Sequence, residues 1–126
     1  IKNTMELVKG AYAFVVMTEK ELIGVRDNYG LRPLCLGKRA DGYLLASESC
    51  AINAMGGEFV RDIEPGEIIV INKDGVNSIK SEKYAHQKLC IFEHVYFARP
   101  DSNLDGVNVY ETRYNSGKLL AQESPV

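Results

Sequence analysis

Cys50 follows Ser47, Glu48 and Ser49 at the head of a short apolar run, where the positive end of a helix would lower a thiol pKa and favour a nucleophilic thiolate. The same place suits a small buried hydrophobe on a strand-to-helix turn, the commoner fate of a free cysteine. Cys35, inside an apolar stretch, reads as a core residue. Cys90 and His94 have the spacing of a ligand pair on a helix, but two ligands do not make a zinc site, and His86 is too far from His94 for an HxxxH face. Gly24, Gly30 and Gly37 form neither GxGxxG nor a P-loop. In residues 26–34, Arg-Asp-Asn-Tyr-Gly-Leu-Arg-Pro-Leu, Arg32 can take an anion; alternatively, Asp27 accepts backbone N–H groups while Arg26 and Arg32 brace the turn. Arg99-Pro100-Asp101-Ser102 is a charged loop equally suited to lining a site and to scaffolding.

These residues need elements to hold them. Asn3 with Glu6 has the form of a capping box for a short helix stopped at Gly10. Residues 11–17 are continuously apolar, which predicts a strand buried on both faces, with residues 22–25 as its hairpin partner. Residues 33–36 and 43–46 predict a second strand pair, joined through a loop holding Asp41-Gly42. Ser49 is placed to cap a helical turn over residues 51–55. Further strands are expected at 58–63, 67–71 and 76–79, punctuated by Glu64-Pro65-Gly66 and by residues 72–75. Residues 81–88 are polar enough for a link, the aromatic segment 91–97 follows, and Asn108 with Glu111 opens a final helix running to Gln122.

The 126 residues, 45% hydrophobic and 25% charged, suffice for one core without disulfides or metals. A formal charge of −2 supplies no broad positive field, which argues against a nucleic-acid partner or an anionic membrane surface. No apolar run approaches the roughly 20 residues of a membrane span. Three cysteines in no CxxC or framework pattern favour a reducing, cytoplasmic setting. The chain opens without a start Met or signal segment and reads as a piece of something longer.

Five stretches carry a more specific likeness: Lys9-Gly10-Ala11-Tyr12-Ala13; Arg26-Asp27 with Tyr29-Gly30 and Arg32-Pro33-Leu34; residues 46–51, Ala-Ser-Glu-Ser-Cys-Ala; Arg61-Asp62 with Glu64-Pro65-Gly66-Glu67; and Cys90-Ile91-Phe92-Glu93 with residues 96–102, Tyr-Phe-Ala-Arg-Pro-Asp-Ser. Across its whole length the chain resembles an internal segment of the amidophosphoribosyltransferase family, the last stretch being the most specific. The resemblance implies an α+β fold: part of an N-terminal-nucleophile glutaminase, a mainly antiparallel αββα sandwich, over residues 1–83. Residues 84–126 would be the interdomain connection and the first helix of a phosphoribosyltransferase domain.

By the same resemblance the parent is a homo-oligomer that uses glutamine and phosphoribosylpyrophosphate. Ammonia from glutamine passes to phosphoribosylpyrophosphate, giving 5-phosphoribosylamine for de novo purine synthesis. The N-terminal nucleophile and the ligands of the Mg2+ that assists the second site fall outside this segment, so the isolated chain is expected to be inactive. Cys90 matches the first of four ligands to a [4Fe–4S] cluster in some members, and the same cysteine occurs in members without one. Tyr96, Arg99, Asp101 and Ser102 match the stretch between the domains, where they would line an ammonia route, transmit closure of the glutamine site or brace the junction. Two alternatives remain: another amidotransferase of the same superfamily, of the glucosamine 6-phosphate synthase type, or a non-catalytic module that recruits a partner at its sheet edges.

Overall fold

A computed structural model of the chain describes residues 1–80 and 86–125. Four strands, β1 (Ala13–Met17), β2 (Leu22–Arg26), β6 (Glu67–Asn72) and β7 (Gly75–Lys80), form an antiparallel sheet in the order β1-β2-β6-β7. Three more, β3 (Cys35–Arg39), β4 (Gly42–Ala46) and β5 (Glu58–Asp62), form a second sheet in the order β4-β3-β5. Every pairing is antiparallel, and the hairpins fall at the turns the sequence marked.

Alternation along β2 and β6 decides the layering, because neighbouring side chains leave a strand on opposite faces. Ile23, Val25 and Ile68 pack with Met5 of helix α1 (Lys2–Leu7) on one face of the first sheet. Ile69 and Ile71 leave the other face and meet Leu34, Leu36 and Ile63 of the second sheet and its flanks. Gly24 also points inward, and a Cβ there would approach Ile69 Cγ2 to 2.8 Å and Leu45 Cδ1 to 2.9 Å, so the sheets close only over a glycine. Helix α2 (Ser49–Ala54) covers the outer face of the second sheet, its fully buried Ile52 filling the space beside Gly37 and Gly57. The resulting order is helix, sheet, sheet, helix, the αββα arrangement expected above.

Several local expectations are corrected. The strand at 13–17 is not buried on both faces: among the described residues β1 is an edge strand paired with β2 alone, and Phe14, Val15, Val16 and Met17 are 41%, 52%, 41% and 81% exposed. A continuous apolar run shows what a strand needs covered, and nothing among the described residues covers this one. Asn3 lies inside α1 rather than capping it, and the helix ends at Leu7, short of Gly10. Glu48, not Ser49, is the residue before α2, which frees both side chains for longer-range bonds.

The remainder packs against one end of the sandwich. Residues 93–97 form a π turn (Glu93–Phe97), in which the Ala98 amide reaches back five residues to the Glu93 carbonyl at 3.0 Å. A tight hairpin of β8 (Asn103–Leu104) and β9 (Val107–Asn108) follows, turned by Asp105 at φ 48° and Gly106 at φ 80°. Positive φ at both central residues makes this a type I′ turn, for which Asp-Gly is a favoured pair. Helix α3 (Val109–Glu123) is capped as anticipated, the Asn108 side chain accepting from the Glu111 amide at 3.1 Å. Its Tyr110 and Tyr114 stack at 6.2 Å but stay exposed, and Val109 is its only buried residue. The boundary placed at residues 83 and 84, and most of the polar link, lie outside the described residues.

Candidate functional site: the joint between sandwich and connecting segment

Three ionic clamps fasten residues 93–110 to the sandwich. The deepest is Arg26, 1% exposed at the end of β2. Its Nε donates to the Arg32 carbonyl at 2.8 Å, Nη1 to the Ile63 carbonyl at 2.6 Å and Nη2 to the Gly30 carbonyl at 2.9 Å. The remaining two N–H groups grip Asp105 as a fork, at 2.8 Å each. All five donors of the guanidinium are thereby used. Asp27 beside it takes the amides of Tyr29, Leu31 and Arg32 at 3.0–3.1 Å, so Asp27 and Arg26 brace the loop as that reading expected, whereas the Arg32 side chain turns to the connecting segment.

Asp62 of β5 lies beside this clamp, where the backbone N–H groups of Asp105 and Gly106 favour its charged form. Burial and then the nearby Asp105 charge push its carboxyl up to about 6, against a smaller pull from Arg26. The raised value means the folded state holds a proton that the unfolded state releases near pH 4. The contribution of Asp62 to stability is therefore greatest below that unfolded value and falls as pH rises toward 6. Asp62→Asn keeps an oxygen acceptor and removes the charge. It is expected to flatten this dependence and to stabilise the protein at pH 7 by about 1 kcal/mol, discounted for partial exposure. Urea midpoints between pH 4 and 7 test it; an Asn variant that tracks the parent would contradict it.

The second clamp is Arg32 with Glu93. The Arg32 Nη1 lies 2.7 Å from Glu93 Oε1 as an ion pair not aligned as a hydrogen bond, and its guanidinium sits 5.3 Å above the Phe97 ring. Glu93 is 3% exposed, and burial raises its carboxyl while Arg32 draws it partly back. Arg32 is thus held by a residue of the connecting segment and is not a vacant anion site.

The third clamp runs the other way. Glu48 Oε2 accepts from the Arg99 amide at 2.8 Å, the Ser102 hydroxyl at 2.7 Å and the Cys50 thiol at 3.6 Å. Next door, Ser49 Oγ accepts from the Asn103 amide at 2.9 Å. Arg113 of α3 closes the far side by donating to the carbonyls of His94 and Ala98 at 2.7 Å each. Between the clamps lies a cavity of about 540 Å³ lined by Phe14, Arg32, Ser47, Glu48, Glu93 and Phe97.

Of the four residues singled out between the domains, Ser102 is fully buried and enters the joint through Glu48. Arg99 contributes its amide, while its side chain forks onto Asp101 at 3.0 Å in solvent. Tyr96 is 77% exposed, touching the edge of Phe97. Cys90 is free and half-buried; Cys50 is free and buried; Cys35 is buried in β3, where burial, then Asp62, pushes its thiol up to about 12. Among the described residues no group of three or more His, Cys, Asp or Glu can hold a metal ion. Nor is any helix among them long and apolar enough to cross a membrane. Sequence reasoning missed Glu48, Glu93, Asp105 and Arg113 as parts of the joint. The Asp105-Gly106 pair between Leu104 and Val107 was the one local signal that could have revealed its hairpin.

The family model described as "Glutamine amidotransferase domain" matches residues 1–54. Over all 126 residues the chain is 48% identical to an amidophosphoribosyltransferase of Bacillus subtilis and 47% identical to one of Archaeoglobus fulgidus. A solved glutamine phosphoribosylpyrophosphate amidotransferase from B. subtilis, complexed with ADP and GMP, superimposes over 99% of the chain with a TM-score of 0.93 at 48% identity. The chain is homologous over its whole length to amidophosphoribosyltransferases. It spans 26% and 28% of the length of those two relatives, and 28% of the solved chain. This likeness accounts for the αββα layers, and the identity runs unbroken past the residues 1–54 that the family model matches and on through the joint.

Proposed function

We propose that this chain is the part of a longer amidophosphoribosyltransferase that carries part of both sheets of the glutaminase sandwich and ties them to the phosphoribosyltransferase domain. The parent takes ammonia from glutamine and delivers it to phosphoribosylpyrophosphate. The bond from C1 of the ribose to pyrophosphate breaks as a bond from C1 to nitrogen forms, giving 5-phosphoribosylamine at the first committed step of purine synthesis. The observation that carries this reading is 48% identity sustained over both the sandwich and residues 90–126, with a TM-score of 0.93 over the same span.

The chemistry this chain itself supports is positioning. Its clamps fix residues 93–110, including the Tyr96 to Ser102 stretch proposed to border the ammonia route, against the sheets that would hold the glutamine site. The described residues offer no carboxylate set for Mg2+, whose ligands on this reading lie elsewhere in the parent. They do not by themselves fit a [4Fe–4S] cluster either, since Cys90 offers one thiolate and four are required. Iron analysis of the anaerobically purified full-length protein, with and without Cys90→Ser, decides whether that thiol is a ligand; unchanged iron content ends the idea. Three free thiols support a cytoplasmic setting, and the exposed apolar residues of β1 and α3 support cover by the rest of the parent or by a second copy in a homo-oligomer.

The test is product stoichiometry. Full-length protein given glutamine, phosphoribosylpyrophosphate and Mg2+ is expected to release glutamate and pyrophosphate in equal amounts, and the isolated 126-residue chain to release neither. Glutamate without pyrophosphate, or the reverse, from the full-length protein would overturn the reading.

A further inference from the structure

Glu48 stands apart from the other clamp residues because it belongs to two places at once. Its side chain lines the cavity between Arg32 and Glu93, and its Oε2 is the common acceptor for the Arg99 amide and the Ser102 hydroxyl. It sits directly before α2, with Ser47 on the cavity side and Ser49 bonded to Asn103. Anything that shifts the 47–49 tripeptide must therefore move both the cavity wall and the segment from Arg99 to Asn103. Ser102 passes the displacement on, because its carbonyl accepts the Val109 amide at 3.0 Å, the first residue of α3. Pro100 does the same through the Tyr110 amide at 3.0 Å. Two short bonds to one carboxylate oxygen thus join the cavity to the head of α3, with Ser102 0% exposed and out of competition with water.

We propose that Glu48 is a positioning residue that couples events in the cavity to the connecting segment and α3, so that ammonia release and its use stay in step. This rests on the functional reading above and extends it to a residue and a path. Bonds to a charged acceptor are worth roughly tenfold in an equilibrium when one partner is lost. Removing the charge should therefore free the segment without dismantling the sandwich, which its own apolar core holds.

In the full-length enzyme, Glu48→Gln and Ser102→Ala are each expected to lower glutamine-dependent phosphoribosylamine formation roughly tenfold. The rate with ammonium salts as nitrogen donor should stay within about twofold, because external ammonia does not depend on glutamine hydrolysis. Glutamate formed per pyrophosphate released should rise above one. The double variant should be no worse than the weaker single variant, since both changes cut the same link. Glu48→Asp, which keeps the charge, should recover part of the loss. Equal loss of both rates, or loss of neither, in Ser102→Ala as well as in Glu48→Gln would overturn the coupling role. A wild-type enzyme inactive with either nitrogen donor would instead overturn the functional reading beneath it.

Discussion

Replacing Arg26 by alanine is expected to destabilise the protein by about 3–5 kcal/mol, the largest loss from any single side chain at the joint. The change removes five hydrogen bonds at once and leaves the carbonyls of Gly30, Arg32 and Ile63 unpaired around a hole. It also strands the Asp105 carboxylate, 16% exposed, beside Asp62. An unpaired buried carboxylate costs more than the pair ever contributed, which is why deletion of one partner is severe. Arg26→Lys should recover less than half of the loss, because an ammonium cannot fork onto Asp105 while also reaching three carbonyls in separate directions. Asp105→Asn should cost less, about 1–2 kcal/mol, since the amide oxygen still accepts from the guanidinium. Denaturant midpoints measure all three; a loss below about 1 kcal/mol for Arg26→Ala would show that the cluster is replaceable by water.

Glu67→Gln should follow, with a cost of about 2–4 kcal/mol at pH 7. Glu67 is 0% exposed at the start of β6. It takes Arg61 as a fork at 2.6 and 2.9 Å, the Ser78 hydroxyl at 2.6 Å and the Glu64 amide at 2.7 Å. Burial alone would raise its carboxyl; Arg61, Ser78 and the Glu64 amide outweigh that and hold it below the ordinary 4.5. A lowered folded-state value contributes stability that is fully present above the unfolded pKa and disappears as pH falls through the folded one. The gap between wild type and Glu67→Gln should therefore be widest at neutral pH and narrow below pH 4, the reverse of the trend expected from Asp62. A pH-independent gap would mean that the amide loses packing rather than charge.

What could be read from the sequence divides along physical lines. Strands and hairpins were legible because they rest on local chemistry: apolar runs, Glu64-Pro65-Gly66 and Asn72 to Gly75 each fix a turn or a period within a few residues. Asp27 was legible for the same reason, its bonds spanning at most five residues. The clamps were not, because Arg26 meets Asp105 across 79 positions and Glu48 meets Ser102 across 54. No periodicity reports such pairs. Burial of β1 was misjudged for a related reason: apolarity records what a strand is made to touch, and its covering layer is absent from the described residues. The family resemblance supplied what spacing could not, yet it marked Tyr96, Arg99, Asp101 and Ser102 alike, and only the fold separates buried Ser102 from the three exposed side chains.

The most direct test is whether the sandwich and the connecting segment form one body, and amide hydrogen exchange reads this at Arg99, Asn103, Val109 and Tyr110, each bonded across the joint or along the segment it holds. In the wild-type protein these amides should exchange at least about a hundredfold more slowly than in an unstructured peptide. In Arg26→Ala they should lose that protection while β2 and β6 keep theirs. Exchange at unstructured rates in the wild type, or protection untouched by Arg26→Ala, would contradict the clamped joint.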